Sequence, residues 1–289
     1  MNAGHDPIAP FRRRLLGLGY RMLGRVSDAE DVLQDAYLKI HGAENIDNLE
    51  AFLVTTVTRL CIDRLKSARS QRETYVGPWL PEPVLDIETL SPQTTLELAD
   101  DLSLALMLVL ERLSPLERAA FLLHDIFDLG FADISAVLGK SEVACRQLAS
   151  RARKTVRTDR PPSATPTDRH GHLLAAFGIA VSSGDVAALT RLLREDAVLL
   201  SDGGGIKRAA LNPILGADRV ARYLIGAMRK FAERQHELRS EARMINGAIG
   251  VVSSIGEEVE QVMSILADGD RIAAIYVIRN PHKLAYLHH

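Results

Sequence analysis

The sequence predicts a multidomain chain, all-α up to about residue 160 and α+β beyond it, and three observations carry that division. Residues 114–157 follow helix-turn-helix grammar. Residues 160–167 are rich in proline and mark a boundary. Beyond them, strand-like stretches are joined by the turn pairs Asn246-Gly247 and Asp268-Gly269. With 289 residues, 47% of them hydrophobic, the chain can fill two or three cores.

Taken in order, residues 11–25 mix Arg12, Arg13, Arg14, Arg21 and Arg25 with Leu15, Leu16, Leu18, Met22 and Leu23, an amphipathic helix despite Gly17 and Gly19. Ser27 to Glu30 reads as a capping box opening a helix to about His41. On it Leu33, Ala36, Tyr37 and Ile40 form the buried stripe, and Asp28, Asp31 and Asp35 share the opposite face. Acids favour a helix N-terminus, but Asp35 lies beyond the first turn, so the sharper reading is a surface for a basic protein partner. After a polar loop at 42–48, a helix from Leu49 carries Phe52, Leu53, Val57 and Leu60 and turns basic at Arg59, Arg64, Lys66, Arg69 and Arg72. Residues 80–110 hold six acids and no lysine or arginine, which excludes DNA contact there. The ordinary reading is a solvated linker, returning to helix over 96–110. At its start stands Trp79-Leu80-Pro81-Glu82-Pro83, with the only tryptophan of the chain. It reads either as a rigid docking element or as a tryptophan tucked into the base of the N-terminal helices.

In the helix-turn-helix, Ser114, Pro115 and Glu117 supply N-cap, first helical position and capping box of a helix to about Phe127, which Gly130 breaks. Phe131, Ile134, Val137 and Leu138 make the apolar stripe of a second helix. Gly139-Lys140 forms the turn and Ser141 caps a third. Val143, Leu148, Ala152 and Val156 face inward on that third helix, and Arg146, Ser150, Arg153 and Arg157 face outward. From Lys140 to Arg160, seven basic residues stand against two acids in a chain of formal net charge −2. A basic stripe this concentrated, behind such a turn, implies a recognition helix in the DNA major groove rather than a merely solvated face.

Beyond the boundary, helices are predicted at about 168–183, 185–195 and 217–234, with strands at 197–200, 236–245, 248–254, 258–267 and 271–279. Asp202-Gly203-Gly204-Gly205-Ile206-Lys207 lacks Walker spacing and reads as a flexible glycine loop in preference to a phosphate cradle. Asp202, Lys207, His236, Tyr276 and Arg279 are the candidate catalytic groups, but they show no spaced acid-base constellation, so the chain is read as no enzyme. Cys61 and Cys145 have no companion ligands, which excludes a disulfide framework and a zinc motif; no metal or cofactor is expected. Cys145, on the third helix, reads as small filler in preference to a redox switch. No apolar run is long enough to span a bilayer and no signal-peptide pattern opens the chain, so a soluble, cytoplasmic protein without membrane contact is expected.

Residues 11–157 resemble sigma factors of the extracytoplasmic-function group. SDAEDVLQDAYLKI (27–40) resembles the helix by which sigma region 2 docks on polymerase clamp helices, AFLVTTVTRLCIDRLKSARSQR (51–72) the promoter-melting helix, and 114–157 sigma region 4. The resemblance implies a factor that binds core RNA polymerase and directs promoter recognition and melting. Core contact would fall to Asp28, Asp31, Gln34 and Asp35. The upstream element would fall to Lys140, Ser141, Glu142, Arg146, Ser150, Arg151, Arg153, Lys154 and Arg157, and the melted downstream element to Asn45, Asn48, Arg59, Arg64, Lys66 and Arg69. In such factors the acidic linker threads the RNA path of polymerase. Residues 168–289 resemble the SnoaL-like family, a curved sheet wrapped on helices around a conical pocket. A subgroup of these sigma factors carries such a domain in place of a separate anti-sigma factor, with WLPEP, DGGGK and NPDKL motifs. Trp79, Leu80, Pro81, Glu82 and Pro83, then Asp202, Gly203, Gly204, Gly205 and Lys207, then Asn280, Pro281 and Lys283 match them, with Ile206 and His282 as departures. The implied organisation is sigma region 2 at 1–77, acidic linker at 78–100, sigma region 4 at 101–160, a second linker at 161–167 and a SnoaL-like regulatory domain at 168–289, open to an unidentified small ligand. Trp79 and the glycine loop are expected to meet.

Overall fold

Two glycines inside the first helix, α1 (Arg12–Leu23), let its neighbours come close. A Cβ on Gly19 would stand 2.8 Å from that of Ala29 in α2 (Val26–His41), and one on Gly17 would overlap the carbonyl of Leu90. The glycines that lower helix propensity are therefore packing sites. In this computed structural model, residues 7–43, 46–85, 90, 102–159, 167–233 and 237–287 are described, with backbone only at 41, 68–73, 159 and 167. Gly24, at φ +75°, closes α1, and α2 starts two residues later with Arg25 as an N-cap that makes no side-chain bond. The capping box expected at Ser27–Glu30 does not form, because the left-handed turn starts the helix upstream of it. The buried stripe of α2 is Ala29, Val32, Leu33 and Ala36, with Tyr37 and Ile40 at its edge. Asn48 caps α3 (Leu49–Glu73) by accepting from Ala51 N–H at 3.0 Å. Leu53, Val57, Cys61 and Leu65 form the buried seam of α3.

The apolar α4 (Leu104–Leu110) leads into α5 (Pro115–Phe121), whose Ser114–Glu117 capping box is complete. The chain then widens into a π-turn over Leu122–Ile126. Its break is Asp128, at φ +55°; Gly130, expected to be the breaker, has φ −67° and caps α6 (Phe131–Leu138) instead. Gly139, at φ +61°, turns the chain into α7 (Glu142–Asp159). On α7, Cys145, Leu148, Ala149, Ala152 and Val156 are buried, whereas Val143 is 62% exposed. Val143 had been expected inside; the seam runs through Cys145 and Ala149, and Val143 is out of phase with it.

Residues 161–289 form a separate compact unit, to which residues 74–85 and 103–105 also belong; the rest of the chain forms the first unit. The prolines of WLPEP are thus part of the C-terminal unit and not of a solvated linker, and Glu82 is buried. The remaining acids of that linker, at 86–88 and 97–101, lie outside the described residues. Helices α8 (Thr167–Ser183) and α9 (Val186–Leu192) precede β1 (Leu193–Asp202) and β2 (Ile214–Leu215); α10 (Ala217–Ala232) precedes β3 (Leu238–Ile245), β4 (Ala248–Ile255), β5 (Glu258–Asp268) and β6 (Arg271–Ile278); α11 (Pro281–Leu284) follows. The α+β class is as predicted. Among the described residues the sheet has six strands in the order β2-β1-β6-β5-β4-β3, all neighbours antiparallel except β1 and β6. Asn246 and Gly247, at φ +50° and +82°, make the β3–β4 turn with both residues left-handed, as a two-residue hairpin loop requires. One sheet face, through Leu199, Ile265, Ile275 and Val277, packs on Leu173, Phe177 and Val220 of the helices. Among the described residues, no helix is long and apolar enough to cross a membrane and no cluster of histidine, cysteine and acidic side chains is placed to hold a metal.

Candidate nucleic-acid interface and a buried ion pair

The outward face of α7 is set by which side chains the seam releases. Val143, Arg146, Gln147, Ser150 and Arg151 line one shallow open concavity. Ser141, Glu142, Lys140, Lys154 and Arg157 are also exposed. Ser141 Oγ caps the helix by accepting from Ala144 N–H at 3.3 Å. Arg146 lies beside Glu142 at 2.8 Å, its guanidinium 5.2 Å from the Phe131 ring centre. Arg151 pairs with Glu117 at 3.0 Å; the Ser114 hydroxyl bond, with Arg151 nearby, holds the Glu117 carboxyl below its ordinary range. Arg153, expected on the same face as Arg146, turns aside to Asp125 at 2.7 Å. The face therefore includes Val143 and Gln147, which the periodic reading left out, and holds Arg153 at its margin. An exposed methyl-bearing side chain beside arginine and glutamine is a set that base edges and thymine methyls can meet.

Arg59, Arg64 and Lys66 of α3 are already engaged within the first unit, while the side chains of Arg69 and Arg72 lie outside the described residues. Arg59 donates to the carbonyls of Val137 at 2.9 Å and Ala136 at 3.0 Å, the last turn of α6, where orphan carbonyls carry the negative end of the helix dipole. Arg64 spans Asp35 at 3.1 Å, Asp31 at 3.5 Å and the carbonyl of Asp28 at 3.1 Å. Part of the reason for three carboxylates on one face is thus internal. Asp31 and Asp35 still keep 64% and 47% of their side chains exposed, however. Asp31 and Gln34 also line a groove with Ile8, Arg12, Leu33 and Tyr37. Lys66 pairs with Asp63, Asn48 is spent on its cap, Arg69 belongs to α3, and Asn45 lies outside the described residues. Arg118 is buried, donating to Met22 carbonyl at 2.6 Å and Glu111 at 2.8 Å; burial pulls its guanidinium down to about 9, still cationic at neutral pH. Burial also pushes the Cys61 thiol up to about 12 and raises that of Cys145, so neither is poised as a thiolate.

In the C-terminal unit three separated motifs converge on one carboxylate. Asp202 Oδ1 accepts from Tyr75 hydroxyl at 2.6 Å and Gly204 N–H at 3.0 Å, and Oδ2 accepts from Leu80 N–H at 2.9 Å and Lys283 Nζ at 2.7 Å. Lys283 also donates to Leu80 carbonyl at 2.5 Å and stands 4.2 Å from the Trp79 ring centre. Both ions are buried, with every carboxylate lone-pair direction answered, the condition under which a buried pair is tolerated. Asn280 donates to Tyr75 hydroxyl at 2.8 Å and caps α11 through His282 N–H. Trp79 packs on Lys283. The glycine loop meets Asn280 and Val76: a Cβ on Gly204, at φ +62°, would lie 2.4 Å from the Asn280 side chain, and one on Gly205 3.3 Å from Val76. A phosphate cradle is ruled out by the same geometry, because the carboxylate of Asp202 already occupies the Gly204 N–H. Further along, Asn246 exchanges bonds with Val84, its Oδ1 accepting at 3.0 Å and its N–H donating at 2.7 Å.

Residues 8–71 match the Sigma-70 region 2 family and residues 103–156 match Sigma-70, region 4. The chain is 36% identical over 284 residues to the ECF RNA polymerase sigma factor SigJ of Mycobacterium tuberculosis, across 94% of this chain and 90% of that protein. The chain belongs to the ECF RNA polymerase sigma factors. It is also 30% identical over 288 residues to the probable ECF sigma factor SigI of the same species, covering 97% of this chain and 96% of that one. The crystal structure of M. tuberculosis SigJ superposes with a TM-score of 0.76 at 32% identity, covering 96% of this chain and 98% of that chain.

As an ECF sigma factor, the chain has its region 2 in α1–α3 and its region 4 in α4–α7. The departures from the subgroup motifs, Ile206 and His282, fall on exposed side chains, while the matching Asp202 and Lys283 make the buried contacts. Sequence reasoning missed Tyr75, Val76 and Asn246. Asn246 was visible only as a turn residue, and nothing near Tyr75 sets it apart from an ordinary surface tyrosine. Of the candidate catalytic groups, Lys207 and Arg279 both hold Glu260, Lys207 at 2.7 Å; burial raises that carboxyl, but the two cations outweigh it and leave it below its usual range. Burial alone pushes Tyr276 up to about 12, and His236 lies outside the described residues.

Proposed function

We propose that this ECF sigma factor binds core RNA polymerase through the carboxylate face of α2, reads the upstream promoter element with α7 and melts the downstream element with α3, while the C-terminal unit modulates these steps. The exposed Val143–Arg146–Gln147–Ser150–Arg151 face of α7 carries the reading, supported by Asp31, Asp35 and Gln34 beside an open groove on α2. Arg59 and Arg64 enter it as exchangeable groups: their present acceptors are carbonyls and half-exposed carboxylates, which DNA phosphates replace at little cost. Co-elution with core polymerase tests it. Asp31→Arg with Asp35→Arg should abolish co-elution in a correctly folded protein, and retention of core binding would remove the docking role.

We read the C-terminal unit as regulatory and non-catalytic. Asp202, Lys207 and Arg279 are each committed to internal charged partners, which leaves none of these three to pair as acid and base on a substrate. Residues 74–85, which follow the melting helix directly, are tied into that unit by Asp202, Lys283 and Asn246, so its state reaches region 2 through continuous backbone. Run-off transcription by Lys283→Met should differ from that of the unaltered chain at equal core occupancy; identical transcription would detach the C-terminal unit from regulation.

A further inference from the structure

The sheet of the C-terminal unit ends in a strand built to pair with itself. Among the described residues, strand β3 is the terminal strand of the order, bonded only to β4, in a register that runs from Leu238 to Ile245 without a bulge. It contains no proline and no glycine, and Arg239 to Met244 are all exposed. A long, unbroken and uncovered edge is a template for a further strand. Counted from the two-residue turn, Ile245, Arg243, Glu241 and Arg239 are the positions bonded to β4, so the amides and carbonyls of Met244, Ala242, Ser240 and Leu238 point away from it.

Charge decides what fits there. Glu237, Arg239, Glu241 and Arg243 alternate in sign at every second residue on one face of the strand. We propose that β3 pairs antiparallel with β3 of a second copy of this chain about a two-fold axis at Ser240. Ser240 then faces Ser240 of the second copy and Leu238 faces Ala242, through the outward amides and carbonyls. At the intervening positions, where side chains stand closer, Arg239 faces Glu241 and Glu237 faces Arg243, each twice by symmetry. Parallel pairing in register would set arginine on arginine and glutamate on glutamate, so the same charges that discourage other strands select this one. The exposed Arg243–Glu241 contact within the strand, at 3.4 Å, gives way to the cross-strand pairs. A single strand pair buries well under about 1,000 Å², so the dimer is weak and concentration-dependent.

Sedimentation velocity on the full chain, from about 5 to about 500 μM at low salt, should show a monomer giving way to a dimer that added salt dissociates. Arg239→Glu and Glu241→Arg should each raise the dimer dissociation constant by about tenfold or more, since each sets like charges opposite one another twice. The double variant Arg239→Glu/Glu241→Arg should restore dimerisation, because the swapped signs again oppose. Ser240→Pro removes an outward N–H while sparing the β4 ladder, and should give a monomer with unchanged circular dichroism. A monomer at every concentration, single reversals without effect, or a folded double variant that stays monomeric would each overturn the proposal.

Discussion

The exposed arginines of the first unit and the buried ion pair of the second use charge in opposite ways. Arg64, Arg146 and Arg151 lean on carboxylates that water also reaches; Asp202 and Lys283 are sealed from solvent and bond to each other and to Tyr75, Leu80 and Gly204. Exposed pairs contribute little and exchange readily, whereas a buried pair is strongly destabilising to break. The difference teaches which basic residues are free to take up DNA and which fix a shape. Similar side chains serve both ends, and burial assigns them.

The largest expected effect breaks the buried side of that contrast. Asp202→Asn leaves Lys283 buried without its counter-charge and should cost about 3–5 kcal/mol in urea unfolding of the C-terminal unit. Adding Lys283→Met should recover part of it. Next, Gly204→Ala, which forces a Cβ onto Asn280 at a left-handed φ, should cost about 1–3 kcal/mol in the same assay. On the exposed side, Arg146→Ala should weaken upstream-element binding by about 1–3 kcal/mol and relax one base position, with stability within about 0.5 kcal/mol of the unaltered chain. Arg153→Ala, turned toward Asp125, should leave base preference intact.

The smallest effect is a pH dependence. The Glu260 carboxyl sits below its unfolded value, so the stability it adds is complete above that value, about 4.3, and is lost as pH falls through the lowered folded one. Glu260→Gln should therefore flatten the acid limb of C-terminal unfolding monitored by fluorescence of Trp79. An unchanged acid limb would place the loss elsewhere.

Helix-turn-helix order, the α+β class and the Asn246-Gly247 turn were legible because periodicity and turn chemistry act over a few residues, whereas the last hairpin turns at Gly269-Asp270, one residue beyond the expected Asp268-Gly269. Failures came where a neighbour overrode the local signal. Ser27–Glu30 spells a capping box, but Gly24 starts α2 ahead of it; Val143 fits an apolar stripe, but Cys145 and Ala149 pack closer. The Asp202 site was legible only as motifs of a resembled subgroup. Its contacts join side chains at positions 75, 202, 280 and 283, separations that no spacing rule reaches, and so the packing of Lys283 on Trp79 was not legible.

We propose that the exposed face of α7 and the carboxylates of α2 serve one initiation complex. Core RNA polymerase mixed with the full chain on total genomic DNA, with transcript 5′ ends mapped, tests it most directly. Discrete start sites absent with core alone, lost with Arg146→Ala and with Asp31→Arg/Asp35→Arg, are the predicted result. A start-site pattern identical to that of core alone, with a folded chain present in excess, would contradict it.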